Sequence, residues 1–457
     1  MRTTHAGRRI VLLLITVALL FPGGVLTAQA RSIVLFIGDG MGPSQFGAAW
    51  VYGTKLLGRE LRMVEVMKRG RTAYIVNDNA DSVVTESAAA ATQIACGMKV
   101  PAQVVGMGAD GKTPCKTLLE LAKDKGLATG LVTTSGITDA TPASFAAHVR
   151  HRSDEFAVAV QEIQLGVDVL QGGRRQFFLP EASGGVRKDG RNVIDEARAA
   201  GYTVVRTASE LQQANGQKLL GLYNMGNMAF EIDRAKTAEP SLAEMTEETL
   251  EILSRNPKGF FAMIEGGRID HAAHRNDAPS TIRDTLAFDE AVGVALEFQK
   301  RNPDTLIIVT ADHETAGMSL IGRSKGSREA LGMNLELIQK ARGSFELMQD
   351  ELGKNPTPDK IKETVKKYLA IEITDGEART VRDDTIRKLD PKHYGYPMLH
   401  TLAFVLRPYL GIGWGSGTHT ASPLMAFASG PGSEVVVGFR HNTELFGIMK
   451  TALWPGQ

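Results

Sequence analysis

The chain has 457 residues, which is long for one small domain but ordinary for a large α/β enzyme that carries insertions. Its 52 basic and 51 acidic residues give a formal net charge of +1, so no global field would concentrate nucleic acid or an anionic membrane surface. We therefore expect one catalytic domain with a subdomain, no binding of nucleic acid, and local charges wherever an ionic ligand binds.

The N-terminus carries the three parts of a secretory signal peptide. A basic start is followed by an apolar run from Ile10 to Phe21 and by small residues that end at Ala30. The apolar run is shorter than the ~20 residues that a membrane-spanning helix needs. We expect residues 1–30 to be a signal peptide, the protein to be exported to a periplasm or secreted, and the mature chain, residues 31–457, to have no membrane span.

From Ser32 to Gly317, apolar runs alternate with amphipathic helical segments. The runs predicted as strands are Ile33–Ile37, Ala128–Thr133, Phe260–Ile264 and Leu306–Val309, and the segments predicted as helices are Leu118–Lys125, Leu242–Leu253 and Leu286–Phe298. This alternation predicts an α/β fold in which a central, mostly parallel sheet is sandwiched by helices.

The composition changes between about residues 319 and 413, where charged, helix-forming sequence replaces the strand-like runs. Ser327–Leu352 and Lys360–Leu369 are predicted as helices, and we interpret residues 319–413 as a mainly helical insertion. The sequence returns to the sheet after His419, with Glu434–Phe439 predicted as a strand.

Cys96 and Cys115 are the only two cysteines. Export into an oxidising compartment would favour a disulfide between them. Cys96 also lies in an apolar helical segment, where a free cysteine behaves as a small buried hydrophobic residue. The sequence leaves both states open.

Three motifs with acidic or histidine side chains each follow a predicted buried strand. They contain Asp39, then Glu265, Asp270 and His274, then Asp312 and His313. Ligands of open α/β sheets bind at the carboxyl edge, where parallel strands end. Carboxylate and imidazole ligands without thiolates suit catalytic zinc, and Asp270 and His274 would share one face of a helical turn. The motifs therefore predict a centre that binds several metal ions.

Ser87 is the candidate nucleophile. It begins an alanine-rich segment of high helix propensity, so its hydroxyl would lie at a helix N-terminus whose free N–H groups and dipole favour a phosphate. Ser87 could instead only cap the helix, and the two roles are compatible.

Taken together, these motifs resemble the alkaline phosphatase family across nearly the whole mature sequence apart from the helical insertion. The matching segments are residues 36–42 (FIGDGMG), Glu86-Ser87 with the small residues up to Thr92, residues 139–142 (DATP), 265–271 (EGGRIDH), 310–313 (TADH) and 417–420 (GTHT). The resemblance implies the family's α/β fold, hydrolysis of small phosphate monoesters through a phosphoserine, and a homodimer.

The resemblance also implies a set of ligands for two zinc ions and one magnesium ion. One zinc would be held by Asp270, His274 and His419, the other by Asp39, Asp312 and His313, and magnesium by Asp139, Thr141 and Glu265 with Asp39 shared. Arg152 falls where the family has its phosphate-binding arginine, although among the neighbouring basic residues it would more often be a solvated charge.

The chain departs from the family pattern at two positions. Glu86 stands where the family usually has Asp before the nucleophile, whereas Asp81-Ser82 matches the usual dipeptide. We nevertheless predict Ser87, because the two valines after Ser82 form helices less readily than alanines. The second departure is a mixture, since Asp139 resembles the bacterial enzymes and His271 the animal ones, where bacterial relatives often have Lys. We expect His271 to contribute to substrate binding, and the alternative is that it only packs.

Two other functions remain open at this stage. A phosphodiesterase of the same superfamily would commonly use Thr as its nucleophile and lack the third-metal ligands. An exported phosphate- or metal-binding protein would retain the site without turnover. A sulfatase is a poor match, because no Cys/Ser-x-Pro-x-Arg segment supplies its modified nucleophile.

Overall fold

The computed structural model describes residues 29–325 and 328–456. The predicted signal peptide lies outside these residues except for its last two positions. Across the described part of the chain, no helix combines the length and apolar character that crossing a membrane requires.

The main sheet has ten strands, and shorter strand pairs decorate it. In chain order the strands of the described residues are β1 (Ser32–Gly38), β2 (Arg71–Val76), β3 (Ala128–Gly136), β4 (Val169–Gly173), β5 (Thr203–Val205), β6 (Leu219–Leu222), β7 (Phe260–Glu265), β8 (Thr305–Ala311), β9 (Glu314–Thr315), β10 (Ser319–Leu320), β11 (Gly322–Lys325), β12 (Arg328–Leu331), β13 (Ile412–Gly413), β14 (His419–Thr420), β15 (Leu424–Ser429) and β16 (Gly438–His441).

The strand order across the main sheet is β16-β2-β15-β8-β1-β7-β3-β4-β6-β5. Strand β15 pairs antiparallel with β2 and β8, and the other neighbouring pairs of this sheet are parallel. The predicted fold class, a mostly parallel sheet with flanking helices, is confirmed.

Helices connect the strands and make up most of the predicted insertion, residues 319–413. They are α1 (Pro43–Lys55), α2 (Arg62–Arg69), α3 (Ser87–Cys96), α4 (Leu118–Asp124), α5 (Ala140–Ala146), α6 (Glu155–Leu165), α7 (Val193–Ala199), α8 (Ala208–Gln212), α9 (Glu231–Arg234), α10 (Leu242–Ser254), α11 (Arg268–His274), α12 (Ala278–Arg301), α13 (Leu335–Lys340), α14 (Phe345–Leu352), α15 (Pro358–Leu369), α16 (Asp375–Arg382), α17 (Thr385–Leu389), α18 (Leu399–Leu410) and α19 (Glu444–Leu453).

The centre of the sheet is buried on both faces. Every residue of β1, β7 and β8 is buried, which requires helices on each side and explains why these strands are apolar without alternation. Strand β1 lies between β7 and β8 and is parallel to both, so the carboxyl ends of all three strands meet at one edge. That edge carries the predicted metal ligands.

Two element predictions are wrong in detail. The segment Ser327–Leu352 is not one helix, because β12 forms a hairpin with β11 and the caps Asn334 and Ser344 start two separate helices, α13 and α14. The strand predicted at Glu434–Phe439 begins later, at Gly438, which has a φ of 79°. Residues Ser433–Val435 form a 3₁₀ turn instead.

Helix α12 is also longer than the predicted Leu286–Phe298. It begins at Ala278, where the Asp277 side chain accepts a hydrogen bond from the Ser280 N–H and Pro279 occupies the first turn. These are strong start signals that the apolar periodicity alone does not include.

Cys96 and Cys115 form a disulfide. The bond ties the last residue of α3 to the segment that precedes α4. Of the two states that the sequence left open, the structure has the oxidised one, which stabilises the helix that carries Ser87 at its other end.

Glu162 on α6 is a buried acid outside the ligand edge. Its side chain has no accessible surface, and neither carboxylate oxygen has a hydrogen-bond partner among the described residues. Burial, and next the charge of Glu155, raise the pKa of Glu162 well above its usual value. Folding therefore favours the protonated form of this side chain.

We predict that Glu162→Gln stabilises the protein in a pH-dependent way. A carboxyl group whose pKa is raised by folding contributes stability below its unfolded pKa of about 4.3, and that contribution falls as pH rises toward the folded pKa. The gain in unfolding free energy over wild type should be near zero at acidic pH and about 1–3 kcal/mol at pH 8. Urea unfolding at the two pH values measures it. Glu181→Gln, at an exposed position, is the control, and an equal gain at both pH values would contradict the prediction.

Candidate metal centre and active site

The ends of the central strands bring the predicted ligands together. Asp39 follows β1, Asp312 follows β8 and Glu265 ends β7. Gly40 permits the tight turn after Asp39, because it has a φ of 68° and a Cβ there would lie 2.9 Å from the Asp270 Cα atom. The turn also lets the Gly40 N–H donate to Asp312 Oδ1 at 3.0 Å.

Two groups of side chains offer ligand atoms within 4.8 Å of one another. One consists of Asp39, Asp312 and His313, and the other of Asp270, His313 and His419. His274 joins the second group, because its Nε2 atom lies 3.3 Å from Asp270 Oδ1, as the four-residue spacing on α11 predicts.

His274 and His419 present their Nε2 atoms to each other at 2.9 Å. The Nδ1 atom of His274 faces the Gly417 carbonyl at 2.7 Å, and that of His419 faces the Thr85 carbonyl at 3.0 Å. A carbonyl only accepts hydrogen bonds, so both Nδ1 atoms carry a proton and both Nε2 atoms expose lone pairs. Only a proton or a metal cation between the two lone pairs removes their repulsion.

The ring of His313 also carries its proton on Nδ1 and exposes the lone pair of Nε2. Its Nδ1 atom lies 3.3 Å from Thr315 Oγ1, and the Thr315 hydroxyl donates to Asp270 Oδ1 at 2.6 Å, so Nδ1 is the donor toward this hydroxyl. The Nε2 lone pair then faces Asp312 Oδ2 at 3.1 Å and Asp39 Oδ1 at 3.6 Å. Lone pairs facing carboxylates are repulsive unless a cation lies between them.

Two carboxylate oxygens of this centre also lack partners. Asp39 Oδ1 and Asp312 Oδ2 are buried and have no hydrogen-bond partner among the described residues. Burial, followed by the charge of Asp312, raises the pKa of Asp39, and burial raises the pKa of Asp312 to about 7. The donors therefore fit metal cations, which would satisfy the free oxygens and remove the cost of burying the acids.

A third set of oxygen atoms lies around Glu265. Burial raises the pKa of Glu265 to about 8, against the lowering contributions of the nearby Thr133 and Thr141 hydroxyls. The Thr133 hydroxyl donates to Glu265 Oε2, whereas Thr141 Oγ1 has no partner of good geometry among the described residues. Oxygen donors alone suit magnesium better than zinc.

Asp139 differs from the other predicted ligands because its oxygens are already paired. Oδ1 accepts from Arg152 Nη2 at 3.0 Å, and Oδ2 forms an ion pair with Arg174 Nη2 at 2.9 Å and accepts from the Ser135 hydroxyl at 2.6 Å. Burial would raise the pKa of Asp139, but the two arginines outweigh it and hold the pKa below the usual range. Asp139 thus fixes Arg152 beside the metal-ligand cluster.

Ser87 is the first residue of α3 and is nearly fully buried. Its Oγ atom lies 3.2 Å from His313 Nε2, so the hydroxyl is next to the ligand set of Asp39 and Asp312. Ser82, the rival candidate, is exposed in the preceding loop and donates to the Val84 carbonyl at 2.8 Å.

Glu86 caps α3 in place of Ser87. Oε2 accepts from the Ala88 N–H and Oε1 from the Ala89 N–H, at 3.0 and 2.8 Å. The expectation that the first N–H groups of this helix are free for a phosphate is therefore wrong at these two residues. Oε2 also accepts from Arg152 Nη1 at 3.0 Å, so the longer Glu side chain caps the helix and holds the arginine at once.

His271 lies on α11 between Asp270 and His274. Burial, and next the charge of Arg268, lower the pKa of His271 to about 3, which keeps its ring uncharged. Arg268 Nη1 lies 3.1 Å from His271 Nδ1.

The centre opens to solvent through a cavity of 740 Å³. Its lining includes His274, His419, Thr85 and His393, and the last of these belongs to the insertion. Gly417 sits on the rim, where a Cβ would lie 2.3 Å from the His400 ring. Only glycine can bring the carbonyl that orients His274 so close to this ring.

Several supporting residues were not found from the sequence. Thr315, Thr133 and Arg174 hold predicted ligands in place through contacts that are distant in the chain. Arg268 contacts His271 three residues further along α11, but its acidic partner, Glu346, is distant in the chain. The short spacings from Thr315 to His313 and from Arg268 to His271 were the local signals.

Comparisons with known proteins identify the family of this chain. A family model described as alkaline phosphatase matches residues 30–454. Alkaline phosphatase 4 of Bacillus subtilis is 33% identical over 437 residues, which cover 93% of this chain and 90% of that protein. Streptomycin-6-phosphate phosphatase of Streptomyces griseus is 38% identical over 333 residues, which cover 63% of this chain and 74% of that protein.

A solved structure gives the same result. The crystal structure of Thermus thermophilus alkaline phosphatase superposes with a TM-score of 0.84 at 35% identity, covering 93% of this chain and 92% of that one. The resemblance predicted from the sequence motifs is confirmed. The chain belongs to the alkaline phosphatase family and is a phosphoric monoester hydrolase.

Proposed function

We propose that this chain transfers the phosphoryl group of a phosphate monoester to Ser87, at a centre of two zinc ions and one magnesium ion. The observation that carries the proposal is the convergence of three imidazole Nε2 lone pairs and unpartnered carboxylate oxygens around one cluster. Such a cluster is costly without cations.

The proposed ligands divide by chemistry. Asp270, His274 and His419 would hold one zinc, Asp39, Asp312 and His313 the second, and Asp139, Thr141 and Glu265 the magnesium, with Asp39 shared. Zinc ions held there would act as Lewis acids that lower the pKa of a hydroxyl and neutralise phosphoryl oxygens. The pairing of Asp139 with two arginines makes it the least free of these side chains to serve as a direct ligand.

Ser87 is proposed as the nucleophile. Its hydroxyl lies beside His313 and at the N-terminus of a helix, where the dipole favours negative charge. Attack of this oxygen on phosphorus releases the alcohol and leaves a phosphoserine, which water then hydrolyses.

Arg152 is proposed to bind the phosphate, with His271 as a further donor. Two carboxylates, Glu86 and Asp139, fix the Arg152 guanidinium from two sides before substrate arrives. A preorganised guanidinium neutralises equatorial oxygens without paying ordering entropy at the reaction step. We propose broad specificity for small monoesters, and the name of one relative, streptomycin-6-phosphate phosphatase, supports this proposal.

We further propose that the protein is exported and forms a homodimer. The disulfide between Cys96 and Cys115 supports an oxidising compartment, in line with the predicted signal peptide. Gel filtration with light scattering tests the dimer.

The assignment of the nucleophile gives the sharpest kinetic prediction. With zinc and magnesium added, wild type should hydrolyse an aryl phosphate monoester far faster than the matching diester. Ser87→Ala should lose kcat by on the order of 10³-fold or more, because the covalent route is removed. Ser82→Ala, the matched control, should stay within about twofold of wild type.

Three outcomes would contradict this account. Full activity of Ser87→Ala together with loss of activity in Ser82→Ala would assign the nucleophile to Ser82. A preference for the diester would favour the phosphodiesterase, and bound metal without turnover would favour a binding protein.

Glu86 gives a second prediction. Glu86→Asp shortens the side chain that caps α3 and holds Arg152, so it cannot keep both contacts at their present distances. We expect kcat/KM to fall about 10-fold and inorganic phosphate to inhibit more weakly, since one charge-assisted hydrogen bond is lost. Steady-state kinetics measures both values. Thermal unfolding is the control for the stability of the variant. Kinetic constants equal to those of wild type would show that the position of Arg152 does not depend on the length of the Glu86 side chain.

A further inference from the structure

We propose that Glu346, a residue of the insertion, and Arg268 are positioning residues that fix the ring proton of His271 on Nε2. This inference rests on the proposed function, because it takes the Nε2–H group of His271 as the donor that was proposed above for binding the phosphate. It also gives the insertion a role beyond covering the sheet.

The side chains of Arg268 and His271 contact each other directly. Arg268 Nη1 lies 3.1 Å from His271 Nδ1. A guanidinium only donates hydrogen bonds, so Nδ1 must accept and the ring proton must be on Nε2. The other two histidines of α11 and β14 have the opposite arrangement, with the proton on Nδ1 facing a carbonyl. His271 is thus set up as a donor, whereas His274 and His419 are set up as ligands.

The second step is the way in which Arg268 is held. Its side chain is only 2% exposed, and the guanidinium stacks 3.6 Å from the centroid of the Phe230 ring. Arg268 Nη2 donates to Glu346 Oε1 at 2.8 Å. In the described part of the chain, no other carboxylate forms a hydrogen bond with Arg268. A buried guanidinium with one bonded anion depends strongly on that anion.

The third step is the position of Glu346 itself. It lies in the first turn of α14, and this helix start is tied to the start of α12 because the Phe345 N–H donates to Oδ2 of Asp277, the residue that caps α12, at 2.6 Å. Glu346 Oε2 also accepts from Arg275 Nη2 at 2.7 Å, so the carboxylate bridges the two arginines at the opposite ends of α11. The insertion therefore places one negatively charged side chain, Glu346, against the two arginines of this helix.

Removing that charge should loosen Arg268 and, through it, His271. Glu346 is 38% exposed, so Glu346→Ala and Glu346→Gln should fold. Arg268→Lys tests the middle of the chain of contacts, because an ammonium cannot stack and bond in both directions. Glu351→Gln is the matched control on the same helix, since Glu351 pairs with Lys367 on another part of the insertion.

The decisive experiment is two-bond ¹H–¹⁵N NMR on the zinc- and magnesium-loaded protein with ¹⁵N-labelled histidine. The His271 signals are assigned by their loss in His271→Asn. Wild type and Glu351→Gln should show His271 protonated on Nε2, and Glu346→Ala should show a mixture of the two tautomers. In parallel, kcat/KM should fall about 5- to 10-fold in Glu346→Ala, and the inhibition constant of inorganic phosphate should rise by a similar factor.

Two results would overturn the inference. One is a wild-type His271 protonated on Nδ1, and the other is a Glu346→Ala protein whose His271 signals and kinetics match those of Glu351→Gln. If wild type hydrolyses no monoester, the proposed function fails instead, and the NMR spectra still decide the position of the proton. If Arg268→Lys does not fold, the two Glu346 variants carry the test.

Discussion

The active-site edge is organised around a repulsion that the protein alone cannot relieve. His274 and His419 point Nε2 lone pairs at each other, and His313 points its own at two buried carboxylates. Buried acids without partners are among the most costly features a folded chain can have. Their presence at the carboxyl edge of the sheet supports the proposed metal centre, in which bound cations would offset the cost of burying these acids.

Backbone groups hold the proposed ligand side chains in their orientations. Two backbone carbonyls, of Gly417 and Thr85, decide which nitrogen of each histidine can bind a metal. Gly417 in turn is positioned by the insertion, since its N–H donates to the His393 carbonyl at 2.7 Å. The insertion thus touches the centre at its rim and, through Glu346, behind α11.

The sequence predicted the parts of this site that have a local signature. Asp39, Glu265 and Asp312 each follow an apolar run, and parallel strands place their ends together whatever the connections are. Thr141 and Arg152 have no such signature, because a threonine before proline and an arginine in a basic segment usually mean a turn and a solvated charge. Only the family resemblance singled them out. Contacts such as that of Arg174 with Asp139 depend on packing between distant segments, which no single stretch of sequence encodes.

The bounds of the helices were also predicted incompletely from the sequence. The segment before α14 is rich in helix-forming residues, yet Asn334 and Ser344 are capping residues that divide it.

The measurement that tests the account most directly is X-ray diffraction from crystals of the mature protein, recorded just above and just below the zinc absorption edge. The account predicts two anomalous peaks that vanish below the edge, one between Asp270, His274 and His419 and one between Asp39, Asp312 and His313. Crystals grown with zinc and magnesium that show neither peak, with the ligand side chains in their present arrangement, would contradict it.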